Sequence, residues 1–202
     1  MITATRTMMG SVLGQLRHTY RFSAVPVLYH ENVAEHGYWT AVIGMAIIED
    51  LKGTDVFDEF DDPEMFMGIV AMKALVHDIE ESMTGDIVRD LKYATPEIRS
   101  SIAAVEGQFV DQLLQGMGEG ATTFKSLWER SKDGTFTGNV VALADLLCVI
   151  SYCDHEVELG NKSPKVFTIR KECMKLIRNK FIHTNLSPFV TEWLRRREPR
   201  AR

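Results

Sequence analysis

Apolar residues recur three and four positions apart along most of this chain, the spacing that lines one face of an α-helix. Val12, Leu13 and Leu16 predict an opening helix that runs towards Arg17. Tyr20 to Pro26 breaks the pattern, because a proline disfavours helix in the residue before it, and an irregular segment is expected there. From about Ala34 a second helix should carry Trp39, Val42, Ile43, Ala46 and Ile47. A third should open on Asp62 as cap and Pro63 as first helical residue, and bury Phe66, Ile69, Val70, Leu75 and Val76. Thr84-Gly85-Asp86 is a turn that can cap a short helix beginning near Ile87. Thr95-Pro96-Glu97 starts a long helix through Ile102, Val105, Phe109, Leu113 and Leu114, which ends at the glycines 116, 118 and 120. Phe124, Leu127 and Trp128 belong to a shorter helix, and Asn139 to Leu159 reads as a long apolar one. Ser163-Pro164 and Ser187-Pro188 begin the last two. No strand pattern, repeat or interdomain linker is present. The expected fold is all-α, one domain over residues 1–202 with its core at about 10–185.

Composition narrows the function more than the fold. With 202 residues, 45% hydrophobic and 25% charged, the chain is long enough for one sizeable core. A formal charge of −5 argues against a dedicated nucleic-acid binder. No apolar run approaches the roughly 18 residues of a membrane span, so no membrane partner is expected. Met1 to Met9 lacks the apolar core of a signal peptide. Cys148, Cys153 and Cys173 form no CxxC pair; Cys148 and Cys153 lie in an apolar helical stretch, which marks them as small buried hydrophobes and fits a reducing cytoplasm. The glycines at 116, 118 and 120 follow no strand, so a flexible turn is the better reading than a phosphate loop. The five arginines of the tail from Arg195 to Arg202 read as a solvated terminus.

Three places carry chemistry. The stretch from Ala74 to Asp86 puts His77-Asp78 directly after an apolar run, followed by Glu80, Glu81 and Thr84-Gly85-Asp86. Charge at such a boundary is costly unless it is paired or coordinated. Asp145 lies inside an otherwise apolar helix, where an ionised carboxylate needs a partner. His36 lies in the first turn of the second helix. Together they offer two imidazoles and two carboxylates from three helices, a set that suits Mn²⁺, Fe²⁺, Co²⁺, Ni²⁺ or Zn²⁺ better than the oxygen-seeking Ca²⁺.

The order His, His-Asp, distant helical Asp resembles the HD-domain metal-dependent phosphohydrolases. More narrowly, Arg21, then Glu31-Asn32-Val33-Ala34-Glu35-His36, then His77-Asp78 with Glu81, Thr84-Gly85-Asp86 and Lys92-Tyr93, is similar to the bacterial 5′-deoxynucleotidases of the YfbR type. The similarity covers roughly residues 10 to 160, and Arg21 stands fifteen positions before His36, as in that family. Phe22 departs from it, since the family has tryptophan there. The resemblance implies an all-α bundle of the HD type, usually dimeric, that cleaves phosphate from deoxynucleoside monophosphates; a related viral group removes triphosphate from dNTPs, especially dATP.

Carried across by resemblance, His36, His77, Asp78 and Asp145 would hold a divalent transition metal (Co, Mn, Zn, Ni or Fe). Glu81 would be the general acid or base, and Asp86 would accept hydrogen bonds from the sugar or a water. Arg21 and Lys92 would neutralise phosphate oxygens. Phe22 would lie beside the sugar and leave a 2′-hydroxyl without a partner. The reading that follows is a metal-dependent 5′-deoxynucleotidase, a homodimer or higher homo-oligomer in the cytoplasm (the host's, if viral). Its competitors are a dNTP triphosphohydrolase, for which Lys73, Arg89 and Lys92 would be the extra cations, and a non-catalytic nucleotide sensor. An intact Glu81 beside four intact ligands argues against the sensor.

Overall fold

The computed structural model describes residues 12–57, 61–115 and 120–197. After a 3-10 helix, Val12–Arg17, come α1 (Val33–Leu51), α2 (Pro63–Val76), α3 (Glu81–Thr84), α4 (Arg89–Lys92) and α5 (Pro96–Leu114). The chain continues as α6 (Gly120–Glu129), α7 (Phe136–Glu158), α8 (Pro164–Phe181) and α9 (Ser187–Arg197). Among the described residues the one β contact is an isolated antiparallel bridge between Tyr20 and Asn32. The fold is all-α, as the periodicity predicts. Met1–Met9, the glycines 116 and 118 and the tail from Glu198 lie outside the described residues.

Helix starts follow local chemistry. Asp62 Oδ1 accepts the Met65 N–H at 3.1 Å with Pro63 at the first position, and Thr95 Oγ1 accepts the Ile98 N–H at 3.3 Å ahead of Pro96. Asn32 caps α1 by accepting the Glu35 N–H at 2.9 Å. Two starts differ from expectation. α7 begins at Phe136, ahead of Asn139, because Thr135 Oγ1 takes the Gly138 N–H at 3.3 Å. α4 begins at Arg89 rather than near Ile87, since the Asp86 side chain serves Phe22 instead of a helix end.

The buried faces also differ. α1 turns Val33, His36, Gly37, Thr40, Ala41, Gly44 and Ile47 inward, while Trp39 is 47% exposed and Ala46 faces solvent. Small residues make this possible, because α2 packs close: a Cβ on Gly44 would stand 2.5 Å from Val70 Cγ1. α2 buries Val70, Lys73, Ala74 and Val76, and leaves Leu75 56% exposed. Likewise α5 buries Glu106, Val110 and Leu114 and exposes Val105.

α7 is the central helix, with Val140, Val141, Leu143, Ala144 and Ile150 fully buried among side chains of α1, α2, α8 and α9. By length and composition it could cross a membrane, but 72% of its apolar window is buried inside the protein. Cys148 and Cys153 are free and buried, as expected, and so is Cys173. A second apolar cluster joins Val76, Ile79, Val110 and Leu114, with Leu13, Leu16, Phe124, Leu127 and Trp128 packed on it. His77 and Asp78 fall between Val76 and Ile79, so the polar groups sit where the larger core meets the smaller.

Candidate active site

α1, the C-terminal end of α2 and the middle of α7 converge on four side chains. His36 Nε2 lies 3.1 Å from Asp145 Oδ1 and 3.8 Å from Asp78 Oδ2. The His36 and His77 ring centroids are 5.3 Å apart. Donor atoms of His36, His77 and Asp145 all fall within 4.8 Å of one another.

His77 tests whether this set fits a metal ion. Its Nδ1–H donates to the Ala74 carbonyl at 2.6 Å, which leaves a lone pair on Nε2. That buried Nε2 has no hydrogen-bond partner, yet Asp78 Oδ2 stands 2.8 Å from it. A lone pair facing a carboxylate oxygen repels it unless a cation lies between them. Burial first, and then the charge of Arg21, lowers the His36 pKa to about 4, so this imidazole is neutral as well. An unpartnered His77 Nε2, the neutral His36 imidazole and the two carboxylates are a donor set that suits a divalent transition metal.

Around this set the irregular segment 19–33 brings in Arg21. Its backbone is pinned by Arg21 N–H to Glu31 O and Val33 N–H to Thr19 O, each 3.0 Å. The Arg21 guanidinium donates from Nη1 to Glu31 Oε2 at 3.0 Å and to His36 Nδ1 at 2.5 Å. Phe22 takes a left-handed φ of 61°, rare for a non-glycine residue, and its N–H is held by Asp86 Oδ2 at 2.8 Å. Gly85, at φ 70°, turns the chain out of α3 so that Asp86 can reach back. The Phe22 ring stacks on Tyr152 of α7 at 4.6 Å, with the Arg21 guanidinium 5.1 Å from its centroid.

Glu81 opens α3, and its Oε2 is buried without a hydrogen-bond partner. Burial, and next the charge of Asp78, pushes its pKa up to about 9, so the carboxyl carries a proton at neutral pH. The neighbouring Glu80 accepts the Trp128 Nε1–H at 2.7 Å, and burial raises its pKa to about 7. That bond ties α6 to the end of α2.

The cations expected from sequence are placed unevenly. Lys92 pairs with Glu106 Oε1 at 2.7 Å. Arg89 lies over the Tyr93 ring. Lys73 is 3% exposed and donates to Thr137 Oγ1 at 3.0 Å, which keeps it away from any substrate. A cation that sequence reasoning missed is Lys132, whose Nζ lies 2.6 Å from Asp145 Oδ2 and 3.9 Å from Asp78 Oδ1. Burial would lower its pKa, but the charges of Asp145 and Asp78 outweigh that and raise it. Nothing in its local sequence marks it, because the loop between α6 and α7 carries no motif.

A family model described as YfbR-like 5′-deoxynucleotidase matches residues 10–196. The chain belongs to that family. Among its YfbR-like relatives is the 5′-deoxynucleotidase of Pasteurella multocida, 26% identical over 163 residues and 80% of each chain. A solved HD-domain phosphohydrolase from Listeria innocua superposes with a TM-score of 0.72 at 25% identity, covering 92% of this chain and 85% of that one. The cyanophage S-2L HD phosphohydrolase DatZ, solved with dA and one catalytic Zn²⁺ ion, shares the fold at a TM-score of 0.56 and 17% identity over 92% and 93% of the two chains.

Proposed function

We propose that this YfbR-like protein is a metal-dependent 5′-deoxynucleotidase that hydrolyses deoxynucleoside monophosphates to deoxynucleosides and phosphate. The observation that carries the reading is the buried Glu81 carboxyl, its Oε2 without a hydrogen-bond partner, three residues after Asp78 and beside the His36, His77, Asp78 and Asp145 set. The relatives' name supplies the substrate class. Those four side chains would hold the ion, which supplies a Lewis acid for a phosphoryl oxygen and acidifies a water. Zinc is the ion in DatZ; Mn²⁺, Co²⁺, Ni²⁺ and Fe²⁺ suit the same donors.

The reaction forms a bond from water oxygen to phosphorus and breaks the phosphorus–O5′ bond. The departing O5′ takes a proton from the Glu81 carboxyl, and the attacking water returns one of its two protons to Glu81 while the other stays on the released phosphate. Arg21 neutralises phosphate oxygens with the guanidinium nitrogens not spent on Glu31 and His36. Asp86 positions the Arg21-Phe22 segment through its bond to the Phe22 N–H, and its other oxygen serves the sugar. Lys92, the other cation expected at the phosphate, is engaged by Glu106. Release of triphosphate from dNTPs is the second reading, from the resemblance of the His, His-Asp, Asp order to the viral phosphohydrolases of the HD type. The burial of Lys73 and the pairing of Lys92 argue for the monophosphate.

The chain would work as one domain and as a homodimer or higher homo-oligomer, in the cytoplasm. A stable nucleic-acid partner is not expected: Arg195 and Arg196 pair with Glu192, and Arg197 pairs with Asp154. The deciding experiment incubates metal-loaded protein with dAMP and dATP and identifies the products. Inorganic phosphate from dAMP is expected; triphosphate from dATP with dAMP untouched would overturn the reading.

A further inference from the structure

We propose that Lys132 is a phosphate-binding residue of this site, held at its rim by a loop that a buried lysine clamps from behind. The inference rests on the phosphohydrolase reading and goes beyond it in naming the second cation that the substrate's phosphate meets. Asp145 divides its two oxygens: Oδ1 faces His36 Nε2 at 3.1 Å, whereas Oδ2 takes the Lys132 ammonium at 2.6 Å. The ammonium therefore lies on the outer side of the carboxylate pair. Its side chain is 36% exposed, against 21% for Asp145, 16% for Asp78 and 1% for His77. It is the group that an incoming anion meets first.

The loop is built to hold it there. Lys73, from α2, donates to Thr135 Oγ1 at 3.4 Å and to Thr137 Oγ1 at 3.0 Å, and it pairs with Asp133 Oδ1 at 3.5 Å. Asp133 Oδ1 accepts the Thr135 N–H at 3.1 Å, and Asn139 Nδ2 donates to the Gly134 carbonyl at 2.9 Å. A Cβ on Gly138 would stand 2.9 Å from the Asp133 nitrogen, so glycine lets the loop lie flat on α7. The backbone beside Lys132 is thus fixed.

Charge completes the argument. A phosphate monoester carries close to two negative charges, and Arg21 has already committed Nη1 to Glu31 and His36. Lys92 is held by Glu106 and Lys73 is sealed in the loop. An ammonium has three donors. Lys132 can keep Asp145 and still donate to a phosphoryl oxygen.

The test measures inorganic phosphate binding to the zinc-loaded protein by calorimetry, so that no turnover is needed. Lys132→Met should weaken phosphate at least about tenfold, the scale of one charge-assisted hydrogen bond. Lys132→Arg should recover most of it, and zinc affinity, measured by chelator competition, should not fall in either variant. Phosphate affinity within twofold of wild type in Lys132→Met, with its melting temperature unchanged, would overturn the proposal. Loss of zinc affinity in parallel with phosphate would also overturn it, and would assign Lys132 to orienting Asp145. If the wild type releases no phosphate from dAMP, the nucleotidase reading falls while the phosphate-binding result still stands.

Discussion

The Arg21 guanidinium donates to His36 Nδ1, 2.5 Å away, and so places the His36 proton on Nε2, facing Asp145 Oδ1. An arginine stays protonated at any pH the fold survives, so Nδ1 has to be the acceptor. For Nε2 to offer a lone pair to an ion, the proton must move to Nδ1 and find a different acceptor. Glu31 Oε2, 3.9 Å from Nδ1 and 3.0 Å from Arg21, is placed to take it. Glu31→Gln should therefore lower divalent-metal affinity by roughly ten- to a hundredfold, the usual cost of losing a ligand's supporting partner. Chelator competition measures it, and an unchanged affinity would remove Glu31 from the metal site's support.

Glu81 gives a pH signature. Its folded carboxyl titrates near 9 against an ordinary value of 4.5, chiefly because it is buried. The folded state therefore holds one more proton than the unfolded state between those values. In the metal-free protein this contribution is fully present below about 4.5 and is lost as pH rises through 9. Glu81→Gln cannot titrate, so its stability against urea should fall less across that window than the wild type's. As a proton donor, Glu81 replaced by Gln should cost on the order of 10²- to 10⁴-fold in kcat, with the metal retained. A variant that loses its metal would make Glu81 a ligand.

What the sequence made legible was what local chemistry decides. Asp62-Pro63 and Thr95-Pro96 mark helix starts because the cap bond and the proline lie within a few residues of each other. The His-Asp pair and Asp145 stood out because charge in an apolar run demands a partner. The buried faces were not legible in the same way. Trp39 is large and apolar yet exposed, because the inward face of α1 was given to Gly37, Ala41 and Gly44, whose value lies in the close approach of α2. Lys73 read as an extra cation for a triphosphate until α2 was placed against the loop of Thr135 and Thr137. Lys132 was invisible for the converse reason: its partners Asp78 and Asp145 are distant in sequence.

Glu156 links stability to the substrate loop. Fully buried near the end of α7, it accepts the N–H groups of Leu28 at 2.8 Å and Tyr29 at 2.7 Å, and Asn161 Nδ2 at 2.5 Å. Burial would raise its pKa, but these donors outweigh it and hold the carboxyl below its ordinary 4.5. Its contribution is thus present above about 4.5 and is lost as pH falls below that value. Glu156→Ala leaves buried N–H groups unpaired and should cost roughly 2–4 kcal/mol. Because the same segment carries Arg21, KM for a phosphate substrate should rise as well. Urea melts of wild type and variant at pH 7 and pH 4 check this, with the gap between them expected to narrow at the lower pH.

Phe22 is where sugar selectivity and the packing of Arg21 meet. Its ring lies against Tyr152 at 4.6 Å with the two planes 5° apart, and the Arg21 guanidinium is 5.1 Å from its centroid. Its left-handed φ of 61° costs on the order of 1–3 kcal/mol for a non-glycine residue. Asp86, holding the Phe22 N–H at 2.8 Å, helps to keep the backbone in that conformation. The ring thus packs between Tyr152 and the Arg21 guanidinium, and the proposed function places it beside the sugar. Phe22→Ala should do two things at once: raise KM for dAMP by loosening Arg21, and narrow the preference for dAMP over AMP by opening room for a 2′-hydroxyl. Phe22→Trp keeps an aromatic plane against Tyr152 and should preserve both properties. The measurement is kcat/KM for dAMP and AMP in the three proteins. A higher KM with an unchanged dAMP-to-AMP ratio in Phe22→Ala would leave Phe22 as a support for Arg21 alone, and would move sugar discrimination to the Asp86 side of the site.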